Sequence, residues 1–323
     1  MQATDPHHDV SIDHRVRAFL EQVNSSGSKP LEELAPEEAR AVLTELQSSA
    51  EVELPPAHVT QRSIEHNGPQ VDLPIVHPAG EKKVASAFMF FHGGGWVLGD
   101  FPTHERLVRD LVAISGAAAV FVNYTPSPEA RYPTAINQAY AATDWVARFG
   151  NEIDVDGQHL AVVGNSVGGN MAAVVALMAK DRGGPELCFQ GLMWPVTDAY
   201  FDTPSYHEFE TGHYLTRSAM QWFWDNYTSA PAERLEIYAS PLRAMTEELR
   251  GLPPALVLTA SHDVLRDEGE EYARKLDVAG VDVVAVRYNG MIHDWGLLNP
   301  ISQVPATRAA MLQVGEELNR RLC

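Results

Sequence analysis

Cysteine is scarce in this sequence, which contains two among its 323 residues. That number excludes the disulfide framework that holds many small secreted domains together, so a hydrophobic core must supply the stability. Cys188 lies in an apolar run, and we predict a small buried side chain there. Cys323 is the last residue, and we predict a loosely held free thiol.

Basic residues are also few: 24 Lys and Arg stand against 43 Asp and Glu, which gives a formal charge of −19. A surface of that sign repels phosphate backbones and anionic lipids, so it disfavours nucleic-acid and membrane partners. The sequence has no apolar run long enough to span a bilayer, and its N-terminus has no basic region followed by an apolar stretch. We therefore expect a cytoplasmic protein without a membrane anchor.

Alternating helix and strand patterns predict an α/β fold built on a mostly parallel, doubly wound sheet. Apolar residues at helical spacing occupy 1–58, which predicts N-terminal cap helices, with a plain extension as the alternative. Strand and helix patterns alternate over 59–198 and over 239–323, which predicts the two parts of the core. The segment 199–238 is both polar and aromatic, and we predict a helical insertion that joins the cap.

A Gly-x-Ser-x-Gly motif at 164–168 is the main indication of function. A valine-rich apolar run precedes it, and a helix-like run at 171–179 follows it. Strand, tight turn and helix form the context of a nucleophile elbow, in which the turn projects a serine hydroxyl. Gly164 and Gly168 leave space where a side chain would clash, and the new helix directs its N–H groups at the site. We predict that Ser166 is a nucleophile; an ordinary strand-to-helix turn is the alternative.

A serine nucleophile needs a base to take its proton and a third group to orient that base. In hydrolases with this elbow, the acid and then the histidine follow the serine along the chain, each after a strand. Asp263 comes shortly after a strand that we predict to end at Ala260. His293 lies in the loop after a strand that we predict to end at Tyr288. The sequence therefore predicts a catalytic triad of Ser166, His293 and Asp263.

Neighbouring residues are alternatives for two of these roles. Asp267, Glu268 and Asp294 are the other candidates for the acid. The first two are expected in the first turn of a helix, where negative charge is favourable for reasons of the helix dipole alone. His262 is the alternative for the base. It directly precedes Asp263, whereas in this chain order the acid comes before the histidine that it orients.

A glycine-rich loop at 92–96 follows the apolar strand predicted at 84–91. Backbone amides freed by glycine can bind phosphate, but no Gly-Lys-Ser/Thr follows, and Gly-x-Gly-x-x-Gly fails at its last position. We favour an oxyanion hole, because acyl transfer builds negative charge on a carbonyl oxygen and N–H donors must meet it. The predicted donors are the main-chain amides of Gly94, Gly95 and Val167, and the residues predicted to support the loop are His92 and Gly93.

These motifs resemble those of the bacterial hormone-sensitive-lipase-like carboxylesterases of the α/β-hydrolase superfamily. The matching stretches, in order, are 92–96, 164–169, 263–268 and 290–293, and the resemblance covers most of the chain from about residue 70. It implies an α/β-hydrolase fold with a helical cap and hydrolysis of short- to medium-chain esters. It also implies no cofactor, no metal and, as in many members of the family, a homodimer.

The sequence departs from the family pattern beside the catalytic groups. Asn165 and Val167 stand where the family usually has Asp and Ala, and Asp294-Trp295 replaces Gly-Phe after the histidine. These changes remove no catalytic group, so we expect them to alter substrate preference rather than the reaction. We predict a substrate pocket that includes Trp96, Asn165, Tyr214 and Trp295. The alternative for the aromatic residues of the insertion is that they hold the cap to the core.

The sequence thus predicts a serine carboxylesterase that acts on small-molecule esters through an acyl-enzyme. One alternative is an amide hydrolase of the arylformamidase type, which shares the glycine loop and the elbow. Another is a non-catalytic small-molecule receptor on a hydrolase scaffold. Receptors of that kind lack the catalytic histidine, whereas His293 is present here.

Overall fold

One sheet organises the fold in the computed structural model, which describes residues 6–68, 70–80 and 84–322. Within those residues the strands are β1 (Ala57–Ile64), β2 (Val71–Pro78), β3 (Ala85–Phe91), β4 (Ala118–Val122), β5 (Val155–Asn165), β6 (Leu187–Met193), β7 (Ala255–His262) and β8 (Val283–Ile292). The prediction made for Cys323 lies outside the described residues.

Helices separate most of the strands. In chain order they are α1 (His14–Asn24), α2 (Pro36–Ser48), α3 (Phe101–Ser115), α4 (Thr134–Phe149), α5 (Val167–Arg182), α6 (Pro204–Glu208), α7 (Arg217–Tyr227), α8 (Thr246–Leu249), α9 (Arg266–Val278) and α10 (Pro305–Leu322). Across the described ranges, none of these helices combines the length and the apolar content that crossing a bilayer requires.

The sheet is parallel over most of its width. Its strands lie in the spatial order β1, β2, β4, β3, β5, β6, β7, β8. β2 pairs antiparallel with both β1 and β4, whereas all pairs from β4 across to β8 are parallel. The predicted α/β fold with a mostly parallel sheet is confirmed. Parallel strands bring their carboxyl ends to one edge, and ligands usually bind beyond that edge.

The central strand β3 shows why both faces of the sheet are covered. Successive side chains of a strand point to opposite faces, and in β3 both sets are apolar. Ala87, Met89 and Phe91 join one buried cluster together with residues of α4, α5 and α9. Phe88 and Phe90 join the other cluster together with residues of α3 and α10. The sheet therefore lies between two layers of helices. The loops at its carboxyl edge are the part of the sheet where a ligand can bind.

The N-terminal segment contacts the insertion between β6 and β7. The ring of Phe19 in α1 lies 6.0 Å from the ring of Tyr214, measured between centroids. Asn24 donates a hydrogen bond to the carbonyl of Gly212 at 2.9 Å, and the 3-10 turn at 31–33 contacts α7. These contacts support the predicted division into a core and a cap made of two segments, which stays a prediction.

Two strands run further than the sequence pattern indicated. β7 ends at His262 and β8 at Ile292, so the predicted ends at Ala260 and Tyr288 are too early. The pairing of β7 with β8 shifts register between Ala260 and His262, and Gly290 adopts a positive φ of 74°. This irregularity interrupts the alternation of side chains on which the prediction depended. As a result, Asp263 and His293 each follow a strand directly.

Candidate active site

The turn between β5 and α5 projects Ser166 from the carboxyl edge of the sheet. Ser166 has a positive φ of 55°, a conformation that costs energy in a residue other than glycine. A Cβ atom on Gly164 would lie 2.1 Å from the carbonyl oxygen of Gly168. A Cβ atom on Gly168 would lie 1.9 Å from the carbonyl oxygen of Phe91. Both positions therefore require glycine, as a nucleophile elbow does.

The structure brings Ser166, His293 and Asp263 into one hydrogen-bonded chain. Oγ of Ser166 lies 3.0 Å from Nε2 of His293, and Nδ1 of His293 lies 2.8 Å from Oδ2 of Asp263. Since an ionised carboxylate can only accept, the neutral imidazole carries its proton on Nδ1 and accepts from the serine on Nε2. All three side chains are buried, which strengthens the electrostatic interactions among them.

Charge around His293 favours its protonated form. Burial opposes the charged imidazolium, but the carboxylates of Asp263 and Asp294 outweigh that effect and hold the pKa of His293 above its usual 6.5. Asp294 contributes from the side of the serine, since its Oδ2 lies 3.7 Å from Nε2 of the imidazole. The imidazole is thus prepared to accept a proton when the serine loses one.

Two of the alternative acids, Asp267 and Glu268, are engaged elsewhere. Oδ2 of Asp267 accepts a hydrogen bond from the amide of Ser205 at 2.8 Å. Glu268 is buried and accepts from the amide of Thr197 at 2.6 Å, and burial raises the pKa of this carboxyl well above its usual range. His262, the alternative histidine, lies 2.9 Å from the hydroxyl of Ser11 in the N-terminal segment.

The glycine-rich loop is folded tightly against neighbouring backbone and cap. Gly94 and Gly95 have positive φ angles of 98° and 63°. A Cβ atom on Gly94 would lie 2.4 Å from the carbonyl oxygen of Leu98, and one on Gly95 would lie 2.0 Å from the ring of Phe223. Val167, the third predicted donor, is the first residue of α5, where the N–H groups have no partner within the helix.

Asn165 connects the glycine-rich loop to the elbow and to the histidine loop, which comprises residues 293–298 after β8. Its Oδ1 accepts from the amide of Gly93 at 3.0 Å, and its Nδ2 donates to Oδ1 of Asp294 at 3.1 Å. The indole N–H of Trp194 donates to the same carboxylate oxygen at 2.7 Å. Four connections at the carboxyl edge of the sheet, those that follow β3, β5, β6 and β8, are therefore linked by one buried polar network.

His92 supports the loop through stacking and a hydrogen bond. Its ring stacks on that of Tyr124, with centroids 4.0 Å apart and planes 3° apart. Burial lowers the pKa of His92 to about 4, so the ring is neutral and donates from Nδ1 to the carbonyl of Gly93 at 2.8 Å. The hydroxyl of Tyr124 donates in turn to the carbonyl of His92 at 3.0 Å. These contacts fix the start of the glycine-rich loop.

A sequence profile of the alpha/beta hydrolase fold family matches residues 88–297 of this chain. The chain belongs to the α/β-hydrolase family. It is 35% identical to carboxylesterase NlhH of Mycobacterium tuberculosis over 280 residues, which cover 85% of this chain and 86% of that protein. It is 34% identical to ethyl acetate hydrolase of Pseudomonas putida over 240 residues, which cover 73% and 74%.

A solved structure is more similar still. The thermostable esterase from Pseudomonas putida ECU1011 is 63% identical, with a TM-score of 0.96 over 98% of this chain and 99% of that one. The predicted resemblance to hormone-sensitive-lipase-like carboxylesterases is confirmed, and so is the α/β-hydrolase fold. The chain is a serine hydrolase whose substrates are small-molecule carboxylic esters.

The residues predicted for the substrate pocket contact mainly other side chains of this hydrolase. Trp96 is fully buried and stacks on Tyr227 of the insertion, with centroids 3.9 Å apart. Trp295 is also buried and packs against Trp194 at 4.2 Å. Tyr214 is only partly buried, while Asn165 belongs to the polar network described above. The contacts of Trp96 fit the alternative that aromatic residues hold the cap to the core.

Sequence reasoning missed the residues that hold the histidine loop. Arg106 of α3 donates to the carbonyls of Gly296 and Leu297, each at 2.7 Å. Gln47 of α2 donates to the carbonyl of Leu297 at 3.1 Å. Nothing in the local sequence marks these contacts. Trp194 was also missed, although its place directly after the buried strand β6 puts it at the carboxyl edge where site residues gather.

Proposed function

We propose that Ser166 attacks the carbonyl carbon of a short- to medium-chain carboxylic ester and forms an acyl-enzyme. His293 takes the hydroxyl proton on Nε2 as the serine oxygen bonds to carbon. Asp263 keeps the imidazole in the required tautomer and stabilises the imidazolium. The separations of 3.0 Å and 2.8 Å along this chain of three residues are the observation that carries the proposal.

The oxyanion of the tetrahedral intermediate is stabilised by main-chain amides. We assign this role to Gly94, Gly95 and Val167, which donate to the oxygen as its negative charge develops. Removing one such donor typically costs about 10²–10³-fold in rate. The positive φ angles of Gly94 and Gly95 and the hydrogen bond from Gly93 to Asn165 support a loop that is preorganised for this task.

The second half of the reaction repeats the first with water. The imidazolium gives its proton to the alkoxide of the leaving alcohol, and the carbon–oxygen bond to that alcohol breaks. Water then gives a proton to His293 and attacks the acyl carbon. When this second intermediate collapses, Ser166 takes back its proton and the carboxylic acid leaves. The cycle needs no redox step and leaves the protein unchanged.

Replacement of the nucleophile tests the mechanism. Ser166→Ala is expected to lower kcat for p-nitrophenyl butyrate by about 10⁵-fold or more, as in comparable triads. Ser48→Ala is the control, because Ser48 is exposed on α2 and its hydroxyl donates to carbonyls of the same helix. A phosphonate ester should add one covalent group to the wild type and none to Ser166→Ala. Wild-type turnover by Ser166→Ala would refute the proposal.

The preference for short and medium acyl chains is part of the same proposal. Ser166 is 3% exposed, and an enclosed site of this kind favours compact substrates over emulsified lipids. An ester series from acetate to dodecanoate should give its highest kcat/KM at the short end. A matched anilide should react far more slowly, whereas equal kcat/KM values would favour the amide hydrolase.

We also propose a cap, a substrate pocket, a cellular compartment and an oligomeric state for the enzyme. Segments 1–58 and 199–238 form its cap over Ser166, and Trp96, Asn165, Tyr214 and Trp295 contribute to its pocket. The scarcity of cysteine supports a reducing, cytoplasmic compartment. The family resemblance supports a homodimer, which light scattering of the purified protein would test.

A further inference from the structure

A second buried carboxylate lies on the nucleophile side of the catalytic histidine. Asp294 is 7% exposed, and its Oδ2 lies 3.7 Å from Nε2 of His293. Its φ of 58° is a conformation that aspartate tolerates better than most residues. The other oxygen, Oδ1, accepts from Nδ2 of Asn165 at 3.1 Å and from the indole of Trp194 at 2.7 Å.

A carboxylate at this place has two opposite effects on the reaction. It stabilises the imidazolium, as an opposite charge within about 4–6 Å does. However, Nε2 is the atom that must exchange its proton with the serine and with the leaving alcohol. If Asp294 rotated until it bonded to Nε2, it would compete with Ser166 for that nitrogen. The two donors on Oδ1 oppose this rotation and keep Oδ2 outside hydrogen-bond distance.

Asn165 suits this task because its amide both accepts and donates. The acceptor, Oδ1, binds the amide of Gly93 in the glycine-rich loop at 3.0 Å, and the donor binds Asp294. An aspartate at position 165 would retain the first bond and lose the second. It would also place a second carboxylate close to Asp294, where like charges disfavour each other.

We propose that Asn165 and Asp294 act as one pair of positioning residues that aligns the imidazole of His293 with Ser166 and with the glycine-rich loop. The pair rests on the serine mechanism proposed above. The hydrogen bond between Asn165 and Asp294 explains why both positions depart from the family pattern. Among the described residues, Tyr214 of the insertion interacts electrostatically with Asp294, and Asp263 acts on the imidazole from its Nδ1 side. Burial and Asp294 raise the pKa of Tyr214, so its hydroxyl stays neutral during assays.

A double-mutant cycle tests the pair. Asn165→Asp should lower kcat/KM by about 100-fold, the cost that a misplacement of about 1 Å can have. Asp294→Asn should cost about 10-fold. The double variant N165D/D294N should lose less than N165D alone, because the repulsion between two carboxylates is gone. Losses that multiply to about 1000-fold would mean independent sites and would overturn the proposal.

The pH profile separates alignment and charge from a purely structural role. Asp294→Asn should move the acid limb of kcat/KM down by about one pH unit, because the imidazolium loses a neighbouring carboxylate. Asp277→Asn removes an exposed carboxylate from α9 and should leave the limb in place. If the midpoint of the acid limb is unchanged in Asp294→Asn, the proposal is contradicted, whatever the maximal kcat/KM of the variant.

Two controls keep the outcomes distinct. Thermal unfolding of each variant shows whether it is folded, and phosphonate labelling reports the reactivity of Ser166 independently of turnover. If Ser166→Ala kept its activity, the serine mechanism itself would fail. If Ser166→Ala were inactive while the costs of the pair multiplied, the inference about Asn165 and Asp294 alone would fail.

Discussion

At the scale of single residues, the nucleophile elbow is constrained mainly by main-chain contacts. The closest neighbour of a Cβ atom on Gly168 is the carbonyl oxygen of Phe91, which belongs to the central strand. A flexible side chain could move away from a new methyl group, but a strand within the sheet cannot. The position of Ser166 therefore depends on how closely α5 approaches β3.

Gly168→Ala is expected to destabilise the enzyme and to displace the nucleophile. Overpacking of a core costs about 1–3 kcal/mol and sometimes more, and a contact of 1.9 Å with backbone belongs at the upper end. Thermal unfolding and kcat for p-nitrophenyl butyrate measure the two effects. Gly68→Ala is the control, because Gly68 is exposed and a Cβ atom there would meet no described atom within 4 Å. Equal stability of both variants would contradict this account.

In the proposed mechanism, the protonation state of His293 sets the lower pH limit of activity. His293 must be neutral to accept the proton of Ser166, and its pKa is raised above 6.5 by Asp263 and Asp294 despite burial. As pH falls through that raised value, the base becomes protonated and kcat/KM falls, while activity is retained on the alkaline side. A profile from pH 5 to 9 at constant ionic strength measures the limb. A midpoint below 6.5 would show that burial outweighs the two carboxylates.

The sequence could predict that Ser166, Asp263 and His293 meet, because their order and their places after strands follow from the chain itself. It could not predict the bond between Asn165 and Asp294, since only the folded chain brings these residues together. The same holds for Trp194, whose indole reaches a carboxylate in another loop. The partner of Trp96 was also beyond the sequence: its indole, which we propose as part of the pocket, stacks on Tyr227 of the insertion.

At the scale of elements, the helices α2 and α3 hold the histidine loop, although neither carries a predicted catalytic residue. Gln47 is the contact from α2. Helix α3 contributes Arg106, which is buried and binds two carbonyls of the loop as well as Oδ1 of Asn299. Its remaining donor binds Asp110 at 3.0 Å, and Asp110 in turn pairs with Arg308 of α10. Because β8 runs to Ile292 rather than to the predicted end at Tyr288, this loop is shorter than the sequence pattern indicated.

Arg106→Lys is expected to loosen that loop. A lysine ammonium cannot reproduce the planar fork that binds several acceptors at once. We expect a loss of about 3 kcal/mol in unfolding free energy, as when a buried pair is broken, and a fall in kcat of about 10-fold. Arg274→Lys is the control: it lies on α9, pairs with Glu271 at the surface and should change stability by less than about 1 kcal/mol. If both variants behaved alike, Arg106 would not hold the loop.

At the scale of the whole molecule, the net negative charge follows from the composition and acts on any charged substrate that approaches. A formal charge of −19 surrounds an active site that itself holds the carboxylates of Asp263 and Asp294. Such a field lowers the local concentration of anions and leaves neutral molecules unaffected. The enzyme should therefore discriminate against esters that carry a second, ionised carboxyl group.

Salt should relieve this discrimination. The screening length falls from about 30 Å at 0.01 M to about 10 Å at 0.1 M ionic strength, so the field of distant surface carboxylates fades over that range. We expect kcat/KM for monoethyl succinate, relative to the neutral ethyl butyrate, to rise about 10-fold between these conditions at pH 8. A pH-stat assay follows both esters, and the neutral ester controls for direct effects of salt on the enzyme. A ratio independent of salt would mean that the two carboxylates beside His293, rather than the surface charge, exclude anions.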